Sequence, residues 1–137
     1  MTMKKVLVLL SLVLFTIPAC LKTLQQKVAD DFMQQYYVQT DLKKAEDDAD
    51  GLALDKIKSS ILLTQGMTVD ASVFHPTISF KLLDSKTDEK ESDFIYKVTI
   101  KPKEVARILK KTRLKVRERE NGVWKVTQFT DYPFDSP

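Results

Sequence analysis

A chain of 137 residues with 22 basic and 19 acidic side chains offers enough polymer for one domain, and a net charge of +3 makes no general case for nucleic acid. Two of those charges, Lys4 and Lys5, stand in an N-terminal stretch of their own, which leaves 20 basic against 19 acidic residues in the remainder. The single cysteine, Cys20, excludes an intrachain disulfide, so an apolar core must hold the fold; a domain of this size buries about two thirds of its unfolded surface, which is sufficient.

Residues 1–19 run from Lys4-Lys5 through the apolar stretch Val6 to Ile17 into Ile17-Pro18-Ala19, immediately before Cys20. A short positive region, an apolar region and a small residue at the cut are the parts of a signal peptide. The segment resembles a lipoprotein signal, in which an aliphatic residue at −3 and a small one at −1 precede the cysteine that becomes the lipidated N-terminus. Ile17 and Ala19 fit; Pro18 at −2 departs from the usual Ala, Ser or Thr. Two other outcomes stay open: an ordinary signal-peptidase cut that frees a periplasmic or secreted chain, and an uncleaved anchor. Val6 to Leu21 as a helix spans roughly 24 Å, short of the ~30 Å hydrocarbon core. Lipidation also accounts for a lone thiol in an exported chain. Leu21 after Cys20, where an aspartate would retain the protein, implies export to an outer membrane, facing the periplasm, if the organism has one. The expected division is a signal peptide over 1–19 and a single domain over 20–137, with the membrane as a partner through the lipid anchor.

Beyond the leader, Leu24, Val28, Phe32 and Tyr36 recur every fourth residue, with Leu21, Ala29, Met33 and Tyr37 beside them. Two adjacent rows predict an amphipathic helix from Leu21 to Val38. Thr40 or Asp41 can cap a second helix through Ala49, and Asp50 a third from Leu52 to Leu63, with Leu54, Ile57 and Ile61 on one face and Gly66 beyond its end. After Gly66 the period falls to two. Ile78, Phe80 and Leu82, then Phe94 to Ile100, Thr112 to Val116, and Trp124 with Val126 predict four strands with one apolar face each. The charged run Asp84 to Asp93 reads as a long hairpin loop, Asn121-Gly122 as a two-residue type I′ turn, and Tyr132 to Pro137 as a fraying tail. Helices followed by an antiparallel meander predict an α+β domain.

Val28, Phe32 and Tyr36, then Asp41-Leu42 with Ala45, and finally Asn121-Gly122-Val123-Trp124-Lys125-Val126 resemble the first helix, the short second helix and the closing strand of the NTF2-like superfamily. The resemblance spans nearly all of the domain. It implies a cone, with N-terminal helices packed on a curved four-stranded antiparallel sheet. Many members carry a short strand between the second and third helices. Glu46 to Leu63 shows no such alternation, so none is expected here and the cavity should be small or closed.

Candidate chemistry is sparse. His75 is the sole histidine and precedes Pro76, which favours an extended strand-entry residue over a base or ligand. Glu46 to Gly51 resembles the start of a calcium loop, but position twelve falls on Ile57 where a bidentate glutamate is required. No metal or other cofactor is implied. The expected inward-facing set (Phe80, Leu82, Tyr96, Val98, Leu114, Val116, Trp124, Val126) lacks the carboxylate that proton-moving relatives use, which argues for binding rather than catalysis. Tyr36, Phe80, Tyr96 and Trp124 are candidate pocket residues, with Tyr37 beside them; the alternative is that they are core. Arg113, Lys115 and Arg117 share a strand face and are candidate contacts for an anionic surface, unless acidic residues on neighbouring strands neutralise them. The function expected is that of a cell-envelope lipoprotein whose domain binds a small apolar ligand or another envelope protein. An isomerase- or hydrolase-type enzyme and an uncleaved adaptor for anionic surfaces are the alternatives.

Overall fold

Thr23 opens the first helix by accepting a hydrogen bond from the Gln26 N–H at 3.2 Å, and α1 runs over Leu24–Met33. The computed structural model describes residues 22–67 and 75–135; Cys20 and the predicted leader lie outside them. The apolar rows do not continue as one α-helix to Val38: Gln34–Val38 is a π-helical turn, closed by the Gln39 N–H on the Gln34 carbonyl at 2.9 Å. In an α-helix residue 37 would lie well round from residue 32, whereas the wider i→i+5 ring returns it to the same face. Tyr36 and Tyr37 therefore both reach inward.

Asp41, not Thr40, caps α2 (Leu42–Asp47), its carboxylate accepting from the Lys44 N–H at 3.1 Å. Asp50 caps α3 (Gly51–Thr64) through the Gly51 N–H at 2.7 Å, and Gly66 follows with a positive φ of 84°. Ile57 is fully buried, with Leu54 and Ile61 half-buried beside it, as the spacing predicts. Between α2 and α3 no strand forms, as the sequence predicts, and an isolated bridge stands in its place. Ala49 forms a single parallel bridge with Val126, through Asp50 N–H to Val126 O and Val126 N–H to Asp48 O, each 2.8 Å. That bridge, with the Lys56 ammonium on the Phe129 carbonyl at 3.3 Å, covers the open edge of the last strand.

The sheet is a meander in the order β1-β2-β3-β4, every pair antiparallel: β1 Thr77–Thr87, β2 Glu91–Lys101, β3 Ile108–Glu118 and β4 Trp124–Pro133. Most of these strands are longer than their apolar alternation. The run expected as a long loop is strand on both sides of a turn from Asp88 to Glu91, because Ser85 pairs Phe94 and Lys86 pairs Asp93. Charged residues suit that arm since β1 is solvent-exposed there. The Asn121-Gly122 turn is likewise not type I′: Asn121 keeps a negative φ, and only Gly122 is left-handed, at 74°. The loop is three residues long, 120–122, with Gly122 N–H on the Arg119 carbonyl at 2.9 Å and Arg119 N–H on the Val123 carbonyl at 2.8 Å, the geometry in which glycine follows a type I turn. Tyr132 and Pro133, expected to fray, pair with Lys111 and Lys110 in β4.

Two bulges set the facing of side chains. One lies at Leu83 in β1, the other at Thr127, where the ladder steps from Lys115–Gln128 to Val116–Val126. The extra residue shifts the parity of β4, so Val126 and then Phe129 are buried, three apart rather than two. The concave face of the sheet meets α1 through Phe32, Met33, Phe94, Tyr96, Val98, Leu114 and Val116, none of them exposed. Phe32 stacks on Tyr36 with centroids 5.6 Å apart and meets Phe129 at 5.1 Å. Truncating it removes the ring that joins helix to sheet. Phe32→Ala should cost about 3–5 kcal/mol, read as a lower urea midpoint at unchanged slope; a loss below about 1 kcal/mol would show that this contact is dispensable.

Candidate functional site

Across the middle of the concave face one row of the sheet is polar. Tyr96, Thr112 and Asp131 stand opposite one another on β2, β3 and β4. Each end of this row is tied to the first helical segment. The Tyr96 hydroxyl donates to Asp30 of α1 at 2.6 Å, and the Tyr37 hydroxyl of the π turn donates to Asp131 at 2.5 Å. Thr112 donates to the same oxygen of Asp131 at 2.7 Å, and the Lys110 ammonium reaches the other oxygen at 3.1 Å. Lys22 completes the pattern on Asp30 at 2.8 Å. Both carboxylates thus hold a phenol and an ammonium.

Asp131 faces inward only because of the bulge at Thr127, and so the inward face does carry a carboxylate, contrary to the sequence expectation. Its chemistry is that of an acceptor already occupied. Partial burial pushes its pKa up, but the hydrogen bonds from Tyr37 and Thr112 and the Lys110 charge outweigh that and leave it below the ordinary carboxylate value. Burial and the neighbouring Asp131 charge drive the Tyr37 phenol strongly upward, and burial with the bond to Asp30 does the same for Tyr96. A phenol that cannot ionise, aimed at a carboxylate that stays ionised, makes a fixed hydrogen bond and a poor proton shuttle.

Beside this row the aromatic rings form one continuous cluster. Tyr36 meets both Tyr37 and Phe129 edge-on with centroids 4.8 Å away. Two ammonium groups cap the cluster: Lys56 lies 4.1 Å over the Phe129 ring and Lys110 lies 4.7 Å over Tyr37. Burial raises the Tyr36 pKa, opposed by its hydrogen bond with Ser60 of α3.

The four candidate pocket residues do not converge. Phe80 and Tyr96 touch edge-to-face at 5.6 Å. Tyr36 belongs to the Phe32–Phe129 cluster, and half-buried Trp124 starts β4, five residues and about 16 Å of strand from Phe129. Between them the interior is filled by Phe32, Phe94 and Leu114. Clefts lie elsewhere among the described residues. One of about 110 Å³ opens on the outer face of the sheet, lined by Arg113, Lys115, Gln128, Thr130 and Tyr132. A shallower one of about 500 Å³ lies at the β3–β4 turn, lined by Asp50, Glu118, Arg119, Glu120 and Asn121. His75 is exposed just before β1.

The basic stripe on β3 is paired along its length. Arg113 binds Asp93 at 3.1 Å, Lys115 binds Glu91 at 3.0 Å, Arg117 binds Glu91 as well, and Arg119 binds Asp50. Asp30, Lys110, Thr112 and Asp131 were not among the sequence candidates. The one available signal was Val126 and Phe129, whose spacing of three breaks the strand period.

The polar row gives a pH-dependent prediction. Asp131 is more acidic folded than unfolded, so its contribution to stability is full above the unfolded carboxylate value of about 4 and fades as pH falls through the lower folded value. The stability gap between wild type and Asp131→Asn should therefore be widest near neutrality and close as pH falls through the lowered folded value of Asp131; a gap independent of pH would contradict this. Tyr37→Phe, which removes a hydrogen bond to a charged group, should cost about 1.5–3 kcal/mol in urea titration at neutral pH.

No protein-family model and no curated protein matches the chain. Solved structures do. A ketosteroid isomerase-like protein from Erwinia carotovora atroseptica SCRI1043 superposes with a TM-score of 0.57 at 12% identity, over 82% of this chain and 95% of that one. An NTF2-like protein of unknown function from Pseudomonas putida KT2440 gives 0.56 at 12% identity, over 80% and 84%. A domain from Thiobacillus denitrificans ATCC 25259, named after the association domain of calcium/calmodulin-dependent protein kinase type II, gives 0.59 at 9% identity, over 80% and 94%. At such identities the likeness speaks for the fold. Three helices on an open, curved four-stranded antiparallel sheet, superposing on these domains over four fifths of its length, give this chain the NTF2-like fold.

Proposed function

We propose that this is a cell-envelope lipoprotein, anchored by acyl chains on Cys20, whose NTF2-like domain binds a partner without transforming it. The observation that carries the reading is the order Lys4-Lys5, Val6 to Ile17, Ala19, Cys20, with no other cysteine in the chain. At ~0.8 kcal/mol per buried methylene, two or three acyl chains anchor firmly. Leu21 favours delivery to an outer membrane in an organism that has one.

Binding without chemistry is favoured by the saturated state of Asp131, whose two oxygens accept three donors. The filled interior favours a partner met at the surface, such as another envelope protein, over an apolar ligand in the cone. An isomerase-type enzyme is the second reading. It draws on the inward-facing phenol–carboxylate pair, Tyr37 and Asp131, and on the fold shared with the ketosteroid isomerase-like protein of Erwinia.

Mass spectrometry of the mature N-terminus tests the anchor. The expected chain begins at Cys20 with attached fatty acid, and Cys20→Ala should move the protein from the detergent phase to the aqueous phase. A chain that begins at Met1 without acyl mass, or a Cys20→Ala variant that partitions unchanged, would refute it.

A further inference from the structure

The β register sorts charge between the two sides of the domain. On the outward face of the sheet stand nine lysines and arginines against Asp84, Glu91 and Asp93, an excess of six in a domain whose total is +1. The three acids are not spread evenly. Glu91 and Asp93 sit toward the β1–β2 turn and hold Arg113, Lys115 and Arg117. Asp84 is level with Arg113, and its carboxylate caps the Ser85 N–H at 2.8 Å. One row beyond, toward the opposite end of the sheet, Lys81, Lys97 and Lys111 stand directly opposite one another across β1, β2 and β3. Like charges in direct cross-strand register oppose folding, so such a row needs another reason. Among the described residues no carboxylate pairs with Lys81 or Lys97. Two aromatics share the spot: Tyr132, which is opposite Lys111 and 43% exposed, and Phe134, whose ring lies 5.7 Å from the Lys97 ammonium and 5.9 Å from that of Lys111.

We propose that this row, Lys81, Lys97 and Lys111 with Tyr132 and Phe134 beside it, docks the outer face of the sheet on an anionic membrane surface. A row of flexible ammonium groups spread over an extended face suits many headgroup phosphates at once, and tyrosine and phenylalanine suit the boundary between headgroup and acyl chain. The same excess of positive charge repels a second copy presenting this face. The choice of lipid over another polyanion rests on the anchoring proposed above. An anchored chain meets the bilayer at an effective concentration set by its short tether, so a weak face suffices.

The test is lysine acetylation of the purified full chain, read by mass spectrometry, on neutral phosphatidylcholine vesicles and on vesicles with about one third phosphatidylglycerol, at low and at about 0.5 M salt. On anionic vesicles at low salt Lys81, Lys97 and Lys111 should be protected about tenfold relative to neutral ones. The protection should vanish at high salt, while Lys43 and Lys58 on the helical side label equally throughout. In the double variant Lys81→Gln/Lys97→Gln the protection of Lys111 should fall with it. Flotation with both vesicle types and equal labelling would overturn the docking face and leave the anchor standing. Flotation with anionic vesicles alone, reversed by salt, would support the face and refute the anchor. Protection that appears only when soluble polyglutamate is added would assign the row to an acidic polypeptide and overturn the proposal.

Discussion

Asp131 can receive Tyr37 only if two departures from regular structure occur together. The bulge at Thr127 turns the carboxylate from the outer face to the inner one, and the π turn at Gln34–Val38 brings Tyr37 onto the face that already carries Phe32. Remove the bulge and Asp131 faces solvent beside Arg113; remove the π turn and Tyr37 swings off the sheet. Neither irregularity has an evident local reward, since a bulge leaves one residue unpaired and a π turn has poorer backbone geometry than an α-helix. Their shared return is a charge-assisted bond between the first helical segment and the last strand, 94 residues apart in sequence. The ring cluster of Phe32, Tyr36 and Phe129 closes around that bond.

The same bond holds an ionised carboxylate on the concave face. A carboxylate among aromatic rings would normally be costly, and its pKa would rise. Here three donors keep it ionised, and the charge in turn holds the donors in place. Asp30 repeats the arrangement with Tyr96 and Lys22 at the other end of the row. Two carboxylates thus fix the angle of α1 over the sheet, a specificity that the non-directional packing of Phe32 and Met33 does not supply. In a smaller protein without disulfides this polar tie does work that a covalent staple does elsewhere.

Which parts of this were legible beforehand follows from the length scale of each signal. Helix caps are local, and Asp41 and Asp50 stood out because a carboxylate at that position has one use. Strand faces were legible as far as the period of two held. It held through Phe94 to Ile100, and it broke at the two bulges, which mark no residue type of their own. Past Thr127 the sequence offers no apolar alternation to follow, and a period of two continued from Val126 points Asp131 outward, so its inward place is invisible there. The β1–β2 arm has no apolar alternation because Lys86, Asp93 and their neighbours are charged, yet its β1 side is solvent-exposed and its ladder is held by the backbone. The fold as a whole survived these errors because the order of elements and the apolar rows of α1, β2 and β3 define the layers.

Charge placement is the property that sequence spacing alone hid most thoroughly. The run of basic residues on β3 is conspicuous in one dimension, but in the sheet it is the best neutralised part of the surface, because Glu91 and Asp93 on β2 sit level with it. Lys81, Lys97 and Lys111 are scattered over thirty-one residues and attract no notice until the register lines them up. Pairing in the first case lowers the local potential and pins side chains that would otherwise reach a partner. Alignment in the second raises it, with no carboxylate paired to Lys81 or Lys97 among the described residues to lower it. A stripe is thus a poor guide to where a sheet meets an anion, and a row across strands a better one, because the field depends on neighbours through space.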